Sequence, residues 1–420
     1  IARVLPLSAK GLRIRRITSL FGSSRISRVS AIACATSAVL ATGAIAGSPA
    51  AIAAGPSSPA ASSAASSCSG SSATGDSSAT EHVVVVLNNQ HDDLPAAGST
   101  LSARISATDA DQAPLIAMAQ ADGGTAVRQL HVANAFAVTI SAAGAAALAA
   151  DPAVSMVVPD QQIADPNDQP SSTPAPAPKA FSLTRPPATS TECPSDPAKP
   201  LLEPEALQLT HDAYDDSSTP SAQQIATGKG VTVAFLADGL DINNPDFIRA
   251  DGSHVIVDYQ DFSGEGPNAP TPGGEAFGDA SSIAAQGREV YDLSAFVNPS
   301  HPLPPGCNIR VLGMAPGASL VGLKVFPIGG FAFNSTILQA LDWAVTHDHA
   351  EVINESFGSN QFPDTTDDPT AVFNEQLVKA GIVVVASSGD SAFENTIGSP
   401  ASAPDVISVG ASTQFRLYGQ

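Results

Sequence analysis

Asp238, Ser356 and Asp390 each stand at or just beyond the end of a short apolar run rich in β-branched residues. Two carboxylates and a hydroxyl in such positions are groups suited to acid–base chemistry and polar contacts. The runs are Val231-Thr232-Val233-Ala234-Phe235-Leu236, Val352-Ile353-Asn354 and Ile382 to Ala386. Ser319 to Val325 and Val406 to Val409 are two more of the same kind, and helical sequence lies between them at Ser335–Thr346 and Ala371–Ala380. Short apolar strands alternating with helices predict an α/β fold, a parallel sheet covered on both faces. Sheets of that kind place their ligands outside the carboxyl ends of the strands. That rule is what singles out the three side chains.

Composition narrows the classes. The 420 residues are 43% hydrophobic and 14% charged, with 33 glycines and 34 prolines, enough for a sizeable core and for long loops or linkers. At about 150 residues per domain, two or three domains fit. The formal charge is −21, yet residues 1–55 carry seven basic side chains and no acid, so the rest carries −28. A body so acidic excludes a nucleic-acid footprint, which needs a basic surface against phosphate. It suits a soluble exported protein. The four cysteines (Cys34, Cys68, Cys193 and Cys307) form no CxxC pair, so neither a zinc site nor a thioredoxin-like motif is expected. Cys193 and Cys307 are either a disulfide in an oxidising compartment or two separate thiols. No cofactor is called for, and the sequence does not decide the question of calcium.

Residues 1–54 read as an export signal. Basic residues to Arg28 precede the apolar run Ala31–Ala46, and Ala51-Ile52-Ala53 has the small-x-small cleavage pattern. A membrane anchor is the weaker alternative, since a span needs about 20 strongly apolar residues. Localisation outside the cell follows. The chain starts at Ile1 and not Met, which suggests a missed start codon or a fragment. Residues 55–80 are Ser, Ala, Gly and Pro, an expected disordered linker. From 81 to 163 the pattern is β-α-β-α-β: His82 to Leu87, a helix over Asp109–Ala121, a long stretch from Val127 to Ile140 that could be two strands, a helix capped by Ser141, and Val154 to Val158. This is a small ferredoxin-like sandwich. Residues 164–205 are Pro-rich and read as a linker, and 206–420 as the α/β domain.

Several ordered blocks of the α/β domain resemble the subtilisin-like serine peptidases. Gly228 through Gly239 is similar to that family's first strand and catalytic aspartate, and Asn244-Pro245-Asp246-Phe247 to the motif that follows. Gly313-Met314-Ala315-Pro316-Gly317-Ala318 with Leu323-Lys324-Val325, then Val352-Ile353-Asn354-Glu355-Ser356-Phe357-Gly358, resemble two further blocks. Ile382 through Asp390, ending Gly389-Asp390, resembles the oxyanion turn, and Val406 to Ala411 closes the series. The resemblance implies hydrolysis of peptide bonds, peptide or protein substrates, and a substrate wall at Ser356, Phe357 and Gly358. It also implies that 81–163 is a propeptide that chaperones folding and then inhibits, making the protein its own first partner.

The departures bear on chemistry. Where the family has its acid, this chain has Ala237, and Asp238 comes one place later; the alternative for Asp238 is a turn aspartate beside Gly239. The family's histidine motif is absent, and its counterpart contains Asp279. An acid there resembles the sedolisins, acid-active relatives with a glutamate base and a second acid four residues on. Glu275 and Asp279 have that spacing, although Gly273, Gly274 and Gly278 argue against one continuous helix. The plain alternative makes Asp279 the N-cap of a helix that starts after it. Asp390 replaces the oxyanion asparagine and can donate a hydrogen bond only when protonated, which implies acidic working pH; otherwise it is a Gly-Asp turn. Ser356 could likewise be only a structural strand end. The nucleophile motif should lie beyond Gln420, and Gly398 to Pro404 is rejected as its substitute. The expectation is a secreted serine endopeptidase precursor, inactive in this span. Its alternative is a non-catalytic subtilisin fold that binds peptides. A nucleotide-binding protein is a poor third, because Gly228-Lys229-Gly230 precedes its strand and a phosphate loop must follow one.

Overall fold

The computed structural model describes residues 79–165, 193–203, 221–266, 274–295, 303–358, 368–389 and 397–411. The expected signal (1–54) and nearly all of the first linker lie outside the described residues, as does Asp390.

The first described region forms β1 (Thr80–Leu87), α1 (Leu101–Ala121), β2 (Thr125–Leu130), β3 (Ala135–Ser141), α2 (Ala142–Ala149) and β4 (Val154–Pro159). Its sheet order is β2-β3-β1-β4, with antiparallel neighbours. The long central stretch is thus two strands, parted by a turn at 131–134. Helix α1 begins at Leu101, eight residues before the expected start, and carries Pro114 inside it. Ser141 caps α2, its Oγ accepting the Gly144 N–H at 3.2 Å. Side chains of β1 alternate between two cores. Val83, Val85 and Leu87 pack with Leu115 and Leu148 under the helices, while Val84 and Val86 join the core of the α/β domain. A sheet buried on both faces explains why the run reads as continuous valine.

A short β5 (Gln162–Ala164) follows. Residues 193–203, expected to be linker, are instead built into the structure: Cys193 is bonded to Cys307 with Cα atoms 4.5 Å apart, and β6 (Leu201–Glu203) runs parallel to the strand at Asn308–Val311. Then come α3 (Ala222–Ile225, a turn closed by a Ser221/Gln224 capping box), β7 (Thr232–Ala237), β8 (Ile256–Asp261) and α4 (Glu275–Ala284). They continue with β9 (Tyr291–Asp292), β10 (Asn308–Val311), β11 (Ser319–Lys324), β12 (Phe331–Phe333), α5 (Asn334–Thr346) and β13 (Val352–Glu355). The last elements are α6 (Pro369–Lys379), β14 (Val383–Ser387) and β15 (Ile407–Val409).

The main sheet has the order β15-β14-β13-β7-β11-β8, parallel at every pairing. Along β7, Ala234 and Leu236 enter the core beneath α5 and α6, and Val233, Phe235 and Ala237 enter the one beneath α4. This is the doubly covered parallel sheet that its apolar strands require. Among the described residues, no helix is long and apolar enough to cross a membrane.

The small domain docks on α5. Asp160 places a carboxylate at the first turn of that helix and accepts the Ser335 N–H at 2.8 Å, where the helix dipole favours negative charge. Asp342, further along α5, accepts the backbone N–H groups of His131 and Val132, both at 2.7 Å. Strand β5 pairs antiparallel with β12, Ile163 opposite Ala332.

Candidate active site at the carboxyl ends of the strands

The carboxyl ends of β7 and β13 converge on the start of α4. Asp238 is 2% exposed, and its carboxylate accepts the N–H of Ala276 at 2.8 Å and of Gly274 at 3.3 Å. It therefore supplies through space the cap that α4 lacks locally, since Gly274 at the N-cap has no side chain. Gly274 sits at φ +87°, a left-handed conformation open to glycine at little cost. That arrangement corrects the expectation that the glycines would break the helix. α4 is continuous from Glu275, so Asp279 lies inside it and is not its N-cap.

Glu275 and Asp279 are one turn apart on one face of α4. Asp279 reaches across to β13, where the Ser356 hydroxyl donates to its Oδ1 at 2.7 Å. Asn354 Nδ2 donates to Ser356 Oγ at 3.0 Å. Asp279 Oδ2 is buried with no hydrogen-bond partner. Burial is the main reason the Asp279 carboxyl is pushed up to about 7; the negative charges of Glu275 and Asp238 push the same way, against the hydrogen bonds from Ser356 and Asn354. No ion pair formed among the described residues involves Asp279. A carboxyl that exchanges its proton near neutrality can serve as general acid or base.

The helix that carries these acids is held from both ends. Gly313 lies against its last turn, and a Cβ there would come within 2.3 Å of the Ala284 nitrogen. Asp246, 1% exposed, accepts the Arg288 and Glu289 N–H groups at 2.6 and 3.0 Å and the Tyr291 hydroxyl at 2.8 Å, fixing the chain that leaves α4.

The other side chains of the predicted wall are placed differently. Phe357 is 2% exposed, its ring edge-on to Phe326 at 5.6 Å, so that residue belongs to the core. Gly358 lies under the next loop, where a Cβ would meet the Ser399 carbonyl at 2.6 Å. β13 and β14, which precede Ser356 and Asp390, are neighbours in the sheet, and Asp390 itself lies outside the described residues.

Two polar residues went unassigned in the sequence. Asn354 was visible in its motif without a role. Glu355, between Asn354 and Ser356, points to the opposite face, is fully buried, and accepts Asn374 Nδ2 at 2.7 Å. Burial chiefly pushes its carboxyl to about 8, against the Asn374 hydrogen bond and with a smaller push from the charge of Asp368. The signal was available, because alternation along a strand sends a Glu flanked by Asn and Ser to the other side.

Residues 228–417 match the Subtilase family over nearly the whole of the strand-and-helix region just described. The likeness is to that family's domain, over 190 of the 420 residues. The minor extracellular protease Vpr of Bacillus subtilis (strain 168) is 30% identical over 192 residues, covering 46% of this chain and 21% of that protein. Subtilisin E of the same organism is 31% identical, covering 44% of this chain and 42% of the relative. Alkaline elastase YaB of Bacillus sp. (strain YaB) is 31% identical over 235 residues, 53% of each chain. The chain thus spans about half or less of the length of these three relatives. Within residues 228–417 the acids of α4 sit in the block where the family resemblance leads one to seek a histidine.

Proposed function

We propose that this chain is the N-terminal part of a secreted serine-type endopeptidase precursor that works at acidic pH. In this reading residues 1–54 direct export and the small domain, 81–163, is a propeptide that assists folding and inhibits. The nucleophilic serine belongs to sequence outside these 420 residues, so this span alone does not hydrolyse peptides. Glu275 is the base that takes the serine proton, and Asp279, one turn on, shares and orients that proton. Asp390, when protonated, donates to the oxyanion. Asp238 acts at a remove, holding the first turn of α4 and with it Glu275. The observation that carries the reading is Asp279, a buried carboxyl near 7 beside a second acid on the same helix face. Vpr, named an extracellular protease, supports export. YaB is named an alkaline elastase, so the pH range is where this protein should part from that relative. The pairing of β5 with β12 is how a peptide adds to an exposed strand, which suits both an inhibitory segment and a substrate.

The test is to express the reading frame extended past codon 420 and assay peptide hydrolysis across pH. Activity should climb below neutrality, and Glu275→Gln or Asp279→Asn should lower kcat at least ~100-fold. A rate maximum near pH 8, or full activity in both variants, overturns the proposal. One observation favours a second reading, a peptide-binding subtilase fold without catalysis: Ala237 stands in the slot where the resemblance expects the acid. An extended protein that binds peptides at β12 and never cleaves them would decide for it.

A further inference from the structure

Hydrogen-bond direction at the strand end can be assigned without reference to any substrate. The Asn354 amide N–H donates to Ser356 Oγ at 3.0 Å, so the oxygen of Ser356 is already an acceptor. Its own proton is then directed to Asp279 Oδ1, 2.7 Å away. Oδ1 is thereby committed to accepting, while Oδ2 is buried and unpartnered. We infer that Ser356, held by Asn354, is a positioning residue that fixes Oδ2 as the oxygen of Asp279 that gains and loses a proton. As the site is read above, this makes the serine part of the acid's support and not of the substrate wall, so the inference rests on that reading for its use though not for its geometry.

Among the described residues, four side chains act on Asp279. Glu275 lies on the same helix, Asp238 follows β7, Asn354 lies in β13 and Ser356 follows it. The two acids press Asp279 toward its neutral form and Asn354 and Ser356 toward its charged form, and Ser356 is the larger of these two opposing contacts.

The test uses the full 420-residue chain with 13C-labelled aspartate carboxyls, Asp279 being assigned by its loss in Asp279→Asn. In Ser356→Ala the midpoint of the Asp279 titration should rise by about one pH unit, the size expected for one charge-assisted hydrogen bond. Ser356→Thr keeps the hydroxyl and should restore the parent midpoint. Should Ser356→Ala fail to fold, Ser356→Gly removes the same hydroxyl and must move the midpoint in the same direction. An unchanged midpoint in Ser356→Ala, or in Ser356→Gly where that variant stands in, overturns the inference. So does a Ser356→Thr midpoint that stays with the alanine variant. No hydrolysis is read, so an extended protein that fails to cleave peptides would sink the proposed function and leave this result standing.

Discussion

Carboxyls at the strand ends and at the domain junction differ in how fully their oxygens are engaged. At the strand ends, Asp279 and Glu355 each have one oxygen engaged and one without a partner, and they are pushed up to about 7 and 8. At the junction, both oxygens of Asp342 are engaged, Oδ1 by the His131 and Val132 N–H groups and Oδ2 by His131 Nδ1 at 3.0 Å. Asp160 likewise accepts from the Ser335 N–H with one oxygen and the Ser335 hydroxyl with the other. A carboxylate with both oxygens satisfied joins two surfaces. One left half-satisfied in a dry site holds its proton into the neutral range and is poised to exchange it. The same residue type thus serves as cement in one region and as a proton store in the other.

The largest expected effect is on stability against pH. Glu355 has an ordinary value of 4.5 and a folded value near 8, so between those pH values the folded chain keeps a proton that the unfolded chain has released. Stability then falls as pH rises through that window, by on the order of 4 kcal/mol for a shift of this size. Asp279 adds a loss of the same sign up to about pH 7. The chain should be markedly more stable to urea at pH 5 than at pH 8.5, and Glu355→Gln should remove about half of the slope. An equal slope in the variant would show that Glu355 is already ionised and that the contrast between the regions is wrong.

Next comes the junction. Asp342→Ala leaves two backbone N–H groups, one of them on the fully buried Val132, without their acceptor. Stability should drop by roughly 2–4 kcal/mol, since each orphaned buried donor costs ~1–3 kcal/mol. Amide exchange at 131–134 should accelerate while that of β13 stays slow. A loss spread evenly over the sheet would mean that Asp342 supports α5 and not the joint.

The two regions also differ in how far they could be read in sequence. The five apolar runs named their strands within a residue or so, because β-branched and apolar residues favour a strand whether it lies inside the sheet or, like β15, exposed at its edge. β8 gave no such signal: Ile256-Val257 is followed by Asp258, Tyr259, Gln260 and Asp261, as an edge strand allows. Helix α4 was misjudged for a physical reason, since its missing cap comes from Asp238, 38 residues away from the Ala276 that it holds. The spacing of Glu275 and Asp279 was visible, but the Ser356 contact spans 77 residues. At the junction, His131 and Asp342 lie 211 residues apart, and nothing local marks either as a partner. Apolar runs are local properties; the partner of a polar group is not.

The smallest effect concerns His131, which tests the cement from its other side. Burial disfavours its charged form, but hydrogen bonds and negative charge from Asp342 and then Asp109 outweigh that, and its pKa is raised above the ordinary 6.5. Asp109 is half exposed, so solvent screens that side of the interaction, and Arg104 faces the turn through its Nε bond to the His131 carbonyl at 2.7 Å. A raised histidine contributes stability fully below pH 6.5 and loses it as pH climbs through the folded value. The contribution should be under about 1 kcal/mol, as for a partly exposed pair. His131→Gln should therefore destabilise the junction at pH 5.5 and match the parent at pH 9, read by exchange at 131–134. If the variant is equally destabilised at both, the ring holds the turn by packing or neutral hydrogen bonds, and the charge of Asp342 is satisfied by the two backbone N–H groups alone.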